Sequence, residues 1–177
     1  MEKIDKAIVL TGMTCCGKST LANMIATQTE YKKVSFGGYL FNYAELMGLD
    51  TKKETLQIIG QQFIDEDPKK FLSAVINFSV PGKLVIFEGV RHLSIFEEIK
   101  NISQQTISFF IDVRFDERLR RFNLREKEKL SENDFLLLDN HRVEGEIPKL
   151  KTLADVVLDG TADPKELLSS VLEKLEK

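Results

Sequence analysis

Short apolar segments alternate along the chain with longer segments whose apolar residues recur every three or four positions. Short apolar runs are typical of buried strands, and the three-to-four spacing is typical of amphipathic helices. The predicted strands are residues 6–10, 34–36, 84–87, 107–113 and 156–158. Strands that alternate with helices predict an α/β fold, here a five-stranded parallel sheet with helices on both faces.

Helical spacing occupies most of the remaining chain. Glycine and proline mark the breaks between elements, as at Gly37-Gly38 and Pro81-Gly82. The predicted helices begin at Gly17, fill most of 39–78, and continue through 95–102, 117–129, 132–138 and the segment after Pro164. Since no repeat, low-complexity tract or linker interrupts the pattern, the 177 residues predict a single domain.

Composition and charge narrow the class of protein. Hydrophobic residues make up 42% of the chain and charged residues 30%, the balance of an ordinary soluble domain. A formal net charge of −3 argues against a protein dedicated to nucleic acid or to an anionic membrane. No segment resembles a signal peptide or a spanning helix, and the two cysteines are adjacent. We therefore expect a reduced, cytoplasmic protein.

The segment between the first strand and the first helix matches the phosphate-binding pattern G-x-x-x-x-G-K-[ST]. Such a loop points its backbone N–H groups at an anion, and glycine is needed where the chain passes too close for a Cβ. Lys18 would attract the β- and γ-phosphates of a nucleotide, and Ser19 would bind Mg²⁺. The alternative is a chance match at an ordinary turn. The predicted nucleotide-binding residues are Gly12, Met13, Thr14, Cys15, Cys16, Gly17, Lys18, Ser19 and Thr20.

The adjacent cysteines occupy variable positions of this loop. Cys15 and Cys16 therefore need only be small, which favours a space-filling role. The alternative is a reactive thiol, because an anion-binding loop would lower a thiol pKa and oxidation would then block nucleotide binding.

A carboxylate follows the third predicted strand in the segment LVIFEGVRH. Because Glu88 comes at the end of that strand, it could hold a Mg²⁺-bound water beside Ser19. The alternative is a glutamate that faces solvent before a turn.

Arginines cluster in RFDERLRRFNLREK. Arg118, Arg121 and Arg125 are spaced by three and four residues, so on a helix they would share one face. A face of like charges is easier to explain if it meets phosphate, which guanidinium groups bind with paired hydrogen bonds. The alternative is a solvated face that nearby glutamates partly neutralise.

Together these motifs resemble the nucleoside monophosphate kinase group of P-loop kinases, which is adenylate kinase-like. FEGVR is similar to the DG-x-PR segment of that group, SFGGYLFNYAE to the start of its monophosphate-binding helices, and RLRRFNLR to the start of its lid. The segment ETLQIIGQQF resembles phage deoxynucleotide kinases and dephospho-coenzyme A kinase-like proteins.

The resemblance implies a P-loop NTPase three-layer sandwich. Its core would be residues 1–36, 82–114 and 152–177, with a helical acceptor-binding region at 37–80 and a short lid at 115–145. It further implies an ATP- and Mg²⁺-dependent kinase, monomeric or homodimeric, that phosphorylates a small acceptor, namely a nucleoside or deoxynucleoside monophosphate.

The resemblance also implies roles for individual residues. Lys18, Arg91, Arg121 and Arg125 would be catalytic, with Arg121 packed near the adenine and Arg125 reaching the transferring phosphates. Ser19 and Glu88 would bind the metal. The implied acceptor-binding residues are Ser35, Gly38, Tyr39, Tyr43, Gly89 and Arg91.

Several features leave the acceptor open. The group usually carries an arginine near Phe41, and here the position is aromatic. A dephospho-cofactor or another non-nucleotide acceptor is therefore an alternative, and so is a switch protein that hydrolyses nucleotide. No N-K-x-D segment supports a guanine-specific GTPase. Tyr39 and Tyr43 either sandwich a base or pack in an aromatic core.

The sequence leaves two interpretations open for His92 and two for a cluster of polar residues near the end of the predicted lid. His92 either touches the acceptor or lies exposed in a loop, and neither it nor His141 has companions at zinc-binding spacing. Asp139, Arg142 and Glu144 either pair with the arginines of the lid or with one another in water.

Overall fold

Five parallel strands form one sheet with helices on both faces, as the sequence predicts. The computed structural model describes residues 3–79, 82–125 and 129–175. The strands are β1 (Ile4–Thr11), β2 (Lys32–Ser35), β3 (Leu84–Glu88), β4 (Ser103–Asp112) and β5 (Val156–Asp159). Their order in the sheet is β2-β3-β1-β4-β5, and every pairing is parallel. The carboxyl ends of all five strands therefore meet at one edge, where the candidate site lies.

The helices connect successive strands, except for the last helix, which follows β5. They are α1 (Lys18–Gln28), α2 (Phe36–Leu46), α3 (Lys53–Glu66), α4 (Pro68–Ser79), α5 (Leu93–Ile102), α6 (Phe115–Arg125), α7 (Glu132–Asp139), α8 (Ile147–Leu153) and α9 (Pro164–Leu175), with a 3₁₀ turn at Arg142–Glu144. Sequence periodicity did not predict α8 or the 3₁₀ turn. None of the helices in the described ranges is long and apolar enough to cross a membrane.

Alternate residues of β1 supply two apolar cores. Ala7 and Val9 pack into one cluster with residues of α4 and α5, whereas Ile8 and Leu10 pack into another with residues of α1 and α9. Because successive strand residues point to opposite faces, one buried strand holds both helical layers in place. This arrangement gives the predicted three-layer sandwich.

The predicted second strand and the helical region after it have different boundaries in the structure. The Ser35 Oγ accepts a hydrogen bond from Gly38 N and caps α2, so Phe36 begins a helix instead of ending the strand. The region 39–78 is divided among three helices. Gly48, with φ +66°, follows the end of α2, and Asp67 caps α4 by accepting from Lys69 N and Lys70 N.

Two sequence predictions fall partly outside the described residues. The predicted helix 117–129 is observed as α6 up to Arg125, and residues 126–128 lie outside the described ranges. Pro81, the first residue of the predicted Pro81-Gly82 turn, lies outside them as well.

Candidate active site

The loop between β1 and α1 has the backbone of an anion-binding turn. Gly12 has φ +136° and Gly17 has φ +104°, conformations that residues with a side chain rarely adopt. A Cβ on Gly12 would lie only 2.6 Å from the Ile111 carbonyl oxygen. Gly17 caps α1, so the unpaired N–H groups of that helix open onto the loop. The motif glycines are therefore required by the geometry of this turn.

The loop holds its lysine by backbone carbonyls. Lys18 is buried, and its Nζ donates to the Gly12 oxygen at 2.7 Å and the Met13 oxygen at 2.8 Å. These contacts keep a positive charge inside the turn. A phosphate in the loop would meet both the amides and this ammonium group.

Ser19 and Glu88 lie together, as the sequence predicts. The Ser19 Oγ donates to Glu88 Oε1 at 2.8 Å, and the Ser35 Oγ donates to Glu88 Oε2 at 2.8 Å. Glu88 is buried between two neighbouring strand ends, so the alternative of a solvent-facing glutamate is wrong.

The hydroxyl of Ser19 and the carboxylate of Glu88 fit Mg²⁺, which prefers oxygen ligands. Within the part of the chain that the structure describes, no three His, Cys, Asp or Glu side chains form a metal site. Mg²⁺ at this pair would therefore rely on water and phosphate oxygens for its other ligands.

The two cysteines have different surroundings. Cys16 is 1% exposed and belongs to the apolar core beside α1, so it is a small packing residue. Cys15 has φ +62° and is half-buried. Burial raises the pKa of the Cys15 thiol despite the opposing charges of Arg125, Lys53 and Lys18. The alternative of a thiol with a lowered pKa is therefore wrong for Cys15.

Arg118 does not share the exposed face that its spacing predicts. Its guanidinium is buried and forms a two-bond ion pair with Asp139, with Nη1 and Oδ1 2.6 Å apart. It also donates to the Val113 oxygen at 3.1 Å and the Thr14 oxygen at 3.3 Å. Arg118 therefore joins α6, α7 and the phosphate loop, and the hypothesis that it meets phosphate is corrected to a structural role.

Arg121 and Arg125 both line the main cleft, defined below. The Arg121 side chain donates to Glu117 Oε1 at 2.8 Å, the Gly160 oxygen at 2.8 Å and the Cys16 oxygen at 3.4 Å. Hydrogen bonds from Arg120 and Arg121 lower the pKa of Glu117 to about 2, so this pairing persists at neutral pH. The Arg125 guanidinium lies 5.9 Å from the centre of the Phe122 ring.

The main cleft has a volume of about 770 Å³ and opens at the carboxyl edge of the sheet. It brings together Glu88, Arg91 and the α6 arginines, which lie far apart in sequence. The lining residues that were not predicted are Leu21, Gly37, Lys53, Glu117, Arg120 and the segment 160–164 with Leu167. The predicted site residues that line it are Thr14, Cys15, Cys16, Gly17, Lys18, Ser19, Thr20, Ser35, Gly38, Glu88, Arg91, Arg121 and Arg125.

Tyr39 and Tyr43 line neither this cleft nor the smaller cavity described below. Their rings stack with centres 6.3 Å apart, and each also contacts Phe63. Aromatic packing, the alternative that the sequence left open, therefore describes both residues. Gly89, with φ +90°, lies beside the smaller cavity.

Glu144 is a site residue that the sequence did not single out as functional. It is buried, and its Oε1 accepts hydrogen bonds from Arg91 Nη1 and from Gln57 Nε2 at 3.0 Å. Burial alone would raise the pKa of Glu144, but Arg91, Lys53 and Lys18 with Gln57 hold it below its usual value. An ionised carboxylate therefore positions the arginine of the predicted acceptor site.

The two residues grouped with Glu144 in the sequence have separate partners. Asp139 pairs with Arg118, and Arg142 pairs with Asp65 at 3.2 Å. The alternative in which these three polar residues pair with one another is wrong. Asp139 instead pairs with an arginine of the predicted lid.

Lys53, like Arg120, is a cation of the cleft that the sequence did not predict. Its Nζ donates to Thr14 Oγ1, so a lysine of α3 reaches the phosphate loop. Burial, with the nearby charge of Arg91, lowers the pKa of Lys53 to about 8. Its charge is therefore present at pH 7 and lost as the pH rises through about 8.

This titration makes a testable prediction if Lys53 attracts an anionic acceptor. We expect kcat/KM for the acceptor, measured at saturating ATP, to fall as the pH rises above about 8. In Lys53→Arg the charge persists to a pH above about 12, so the fall near pH 8 should disappear. Identical pH profiles for the two proteins would contradict a role for the Lys53 charge.

Comparison with known proteins agrees with this geometry. Residues 8–144 match the sequence profile of AAA_18, a family described as an AAA domain. This chain belongs to the AAA_18 family. The matched segment includes the phosphate loop, Lys53, Glu88, Arg91 and the α6 arginines. No curated protein matches the chain.

Solved structures similar to this AAA_18 domain include three kinases. Shikimate kinase from Aquifex aeolicus is 20% identical, with a TM-score of 0.65 over 96% of each chain. Gluconokinase from Sinorhizobium meliloti is 14% identical, with a TM-score of 0.61 over 98% of this chain and 93% of that one. Deoxyadenosine kinase from M. mycoides is 14% identical, with a TM-score of 0.57 over 97% of this chain and 100% of that one. The AAA_18 domain therefore has the P-loop kinase fold.

Proposed function

We propose that this AAA_18 domain is an ATP-dependent phosphotransferase that moves the γ-phosphoryl group to a nucleoside or deoxynucleoside monophosphate. The main cleft carries this proposal, because Lys18 of the phosphate loop meets a second group of cations there, Arg91 and Lys53. Two anionic groups could thus be held side by side, which is what transfer from ATP to a monophosphate requires.

The chain's own residues would supply alignment and neutralisation. Backbone amides of the phosphate loop and the Lys18 ammonium bind the polyphosphate. Arg121 and Arg125 stabilise charge that develops on the transferring oxygens. Ser19 and Glu88 would hold Mg²⁺, which supplies neutralisation of phosphate charge when bound.

The acceptor would bind on the other side of the cleft. We assign its phosphate to Arg91, which Glu144 positions, with Lys53 adding charge. Ser35 and Gly38 border the same space, and Gly89 precedes Val90 and Arg91 in a turn with positive φ. Tyr39 and Tyr43 take no part in this proposal.

A non-nucleotide acceptor is the second candidate. Phe41 stands where a monophosphate-binding arginine would be expected, and its ring is exposed. The similar structures named shikimate kinase and gluconokinase indicate that this fold is compatible with such acceptors.

The test is ADP release from ATP and Mg²⁺ with a panel of nucleoside monophosphates, shikimate and gluconate. We expect a monophosphate to stimulate ADP release well above the rate with ATP alone. Stimulation by shikimate or gluconate only would support the second candidate. Hydrolysis that no acceptor changes would contradict a kinase and favour a switch protein.

Arg125→Ala is expected to lower kcat more than it raises the KM for ATP. The Arg125 guanidinium lines the cleft at the end of α6, and we assign it to the transferring phosphates. A group that acts mainly in the transition state affects kcat, by about 10²–10³-fold for a single strong donor. Arg114→Ala, at an exposed site before α6, is the control. A raised KM with unchanged kcat would mean that Arg125 binds only the ground state.

A further inference from the structure

A second, smaller cavity adjoins the main cleft. Its volume is about 140 Å³, and it shares Lys18, Lys53, Glu88 and Arg91 with the cleft. Most of its remaining wall is apolar and includes Phe36, Leu40, Leu56, Ile64, Phe71 and Val90. Whole small-molecule sites usually measure about 300–1,000 Å³, so this side cavity suits one ring-sized part of a ligand.

Two polar side chains interrupt the apolar wall, and each has a buried atom without a partner. These atoms are Gln57 Oε1 and His92 Nε2. Both residues are more than nine-tenths buried, which corrects the alternative that His92 lies exposed in a loop. Buried polar atoms without partners are rare and costly, so these two indicate a missing ligand or water.

The contacts of Gln57 determine what its free atom can do. Its Nε2 donates to Glu144 Oε1 at 3.0 Å and to the Leu138 oxygen at 3.3 Å. Both partners are acceptors, so the amide nitrogen must face them. The remaining atom, Oε1, can only accept a hydrogen bond.

His92 presents a second hydrogen-bond acceptor. Its Nδ1 lies 3.4 Å from Glu146 Oε2, which stabilises a proton on that nitrogen. Burial lowers the pKa of His92 despite the nearby Glu146 carboxylate, so the ring is neutral at pH 7. A neutral ring with its proton on Nδ1 has an unprotonated Nε2, which accepts.

We propose that the side cavity takes the base of the acceptor nucleotide and selects a base that carries an exocyclic amino group. This inference rests on the proposed function. An amino group has two N–H donors, which matches the two unpartnered acceptors. The apolar walls suit a flat heteroaromatic ring, whereas a sugar-like ring would bury several hydroxyls without partners.

The proposal predicts discrimination between bases that differ only in this group. CMP should be preferred to UMP and AMP to IMP. The oxo group of UMP or IMP would face two hydrogen-bond acceptors and could donate to neither. We expect at least about a tenfold difference in kcat/KM within each pair, since an unpaired buried acceptor is penalised.

Two variants of His92 test the geometry. The amide of glutamine reaches about as far as Nε2, whereas the amide of asparagine reaches only about as far as Nδ1. We expect His92→Asn to lose the preference for CMP over UMP and His92→Gln to retain most of it. Gln61→Met is the matched control, because Gln61 Oε1 is also buried without a partner but lines neither cavity.

Each outcome decides the proposal. Equal kcat/KM for CMP and UMP, or a preference that His92→Asn leaves unchanged, would overturn it, and so would His92-dependent use of shikimate. Should no acceptor stimulate ADP release, the proposed function fails. Calorimetric binding of CMP and UMP with a non-hydrolysable ATP analogue then tests the side cavity alone. Tighter CMP binding that His92→Asn abolishes supports the proposal, and equal or undetectable binding overturns it.

Discussion

Replacing Lys18 with alanine is expected to lower kcat for phosphoryl transfer by about 100- to 1,000-fold, the effect of removing one preorganised charge-stabilising group. Lys18 is the cation that the phosphate loop itself holds, through the carbonyls of Gly12 and Met13. Arg118 and Arg121 also donate to carbonyls of this loop, those of Thr14 and Cys16, but over longer distances of 3.3 and 3.4 Å. Turnover should therefore fall even at saturating ATP.

The fold should survive this substitution. Lys18→Ala removes hydrogen bonds worth about 1 kcal/mol each, against a typical domain stability of about 5–15 kcal/mol. Far-ultraviolet circular dichroism and thermal unfolding check this point. Lys52→Ala, which changes an exposed lysine just before α3, is the control. Retained turnover in folded Lys18→Ala would refute the assignment of the loop.

Arg118→Ala is expected to destabilise the protein by about 3–5 kcal/mol, the usual cost of removing one partner of a buried ion pair. Arg118 and Asp139 have side chains that are each 6% exposed. Without the guanidinium, Asp139 would be left as a buried charge, and the Thr14 and Val113 oxygens would lose a donor. Urea denaturation of both proteins measures the difference in free energy of unfolding.

An exposed ion pair nearby provides the matched control. Arg114 and Asp116 have side chains that are 83% and 67% exposed, so Arg114→Ala should cost less than about 1 kcal/mol. Replacing the buried pair together, as Arg118→Met with Asp139→Leu, should recover much of the loss because no lone charge remains. If Arg118→Ala costs no more than Arg114→Ala, the structural role of Arg118 is wrong.

The sheet and the phosphate loop could be predicted because their signals are local. Buried parallel strands appear as short apolar runs, and the loop glycines follow from the backbone that an anion requires. Glu88 was predictable for the same reason, since a carboxylate at a strand end lies at the edge where parallel strands meet. Ser19 and Glu88 are indeed in contact.

The separation of Arg118 from its neighbours could not be predicted from spacing. Helical spacing places Arg118, Arg121 and Arg125 near one face, but α7 covers only the first of them through Asp139. Which arginine becomes buried thus depends on packing between helices and not on the sequence of α6.

The residues behind Arg91 were missed for a related reason. Lys53 and Gln57 are four residues apart, a spacing that places them on one face of α3 and was the available signal. Their role depends on the 3₁₀ turn that carries Glu144 against that face, and periodicity does not detect so short an element.

The most direct test of phosphoryl transfer follows the phosphorus atom itself. The protein is incubated with γ-³²P-labelled ATP, Mg²⁺ and CMP, and the products are separated. We predict that the label appears in the nucleoside diphosphate made from CMP, and that Lys18→Ala slows the formation of this product by about 100- to 1,000-fold. Label recovered only as inorganic phosphate, at the same rate with every acceptor or with none, would contradict the account.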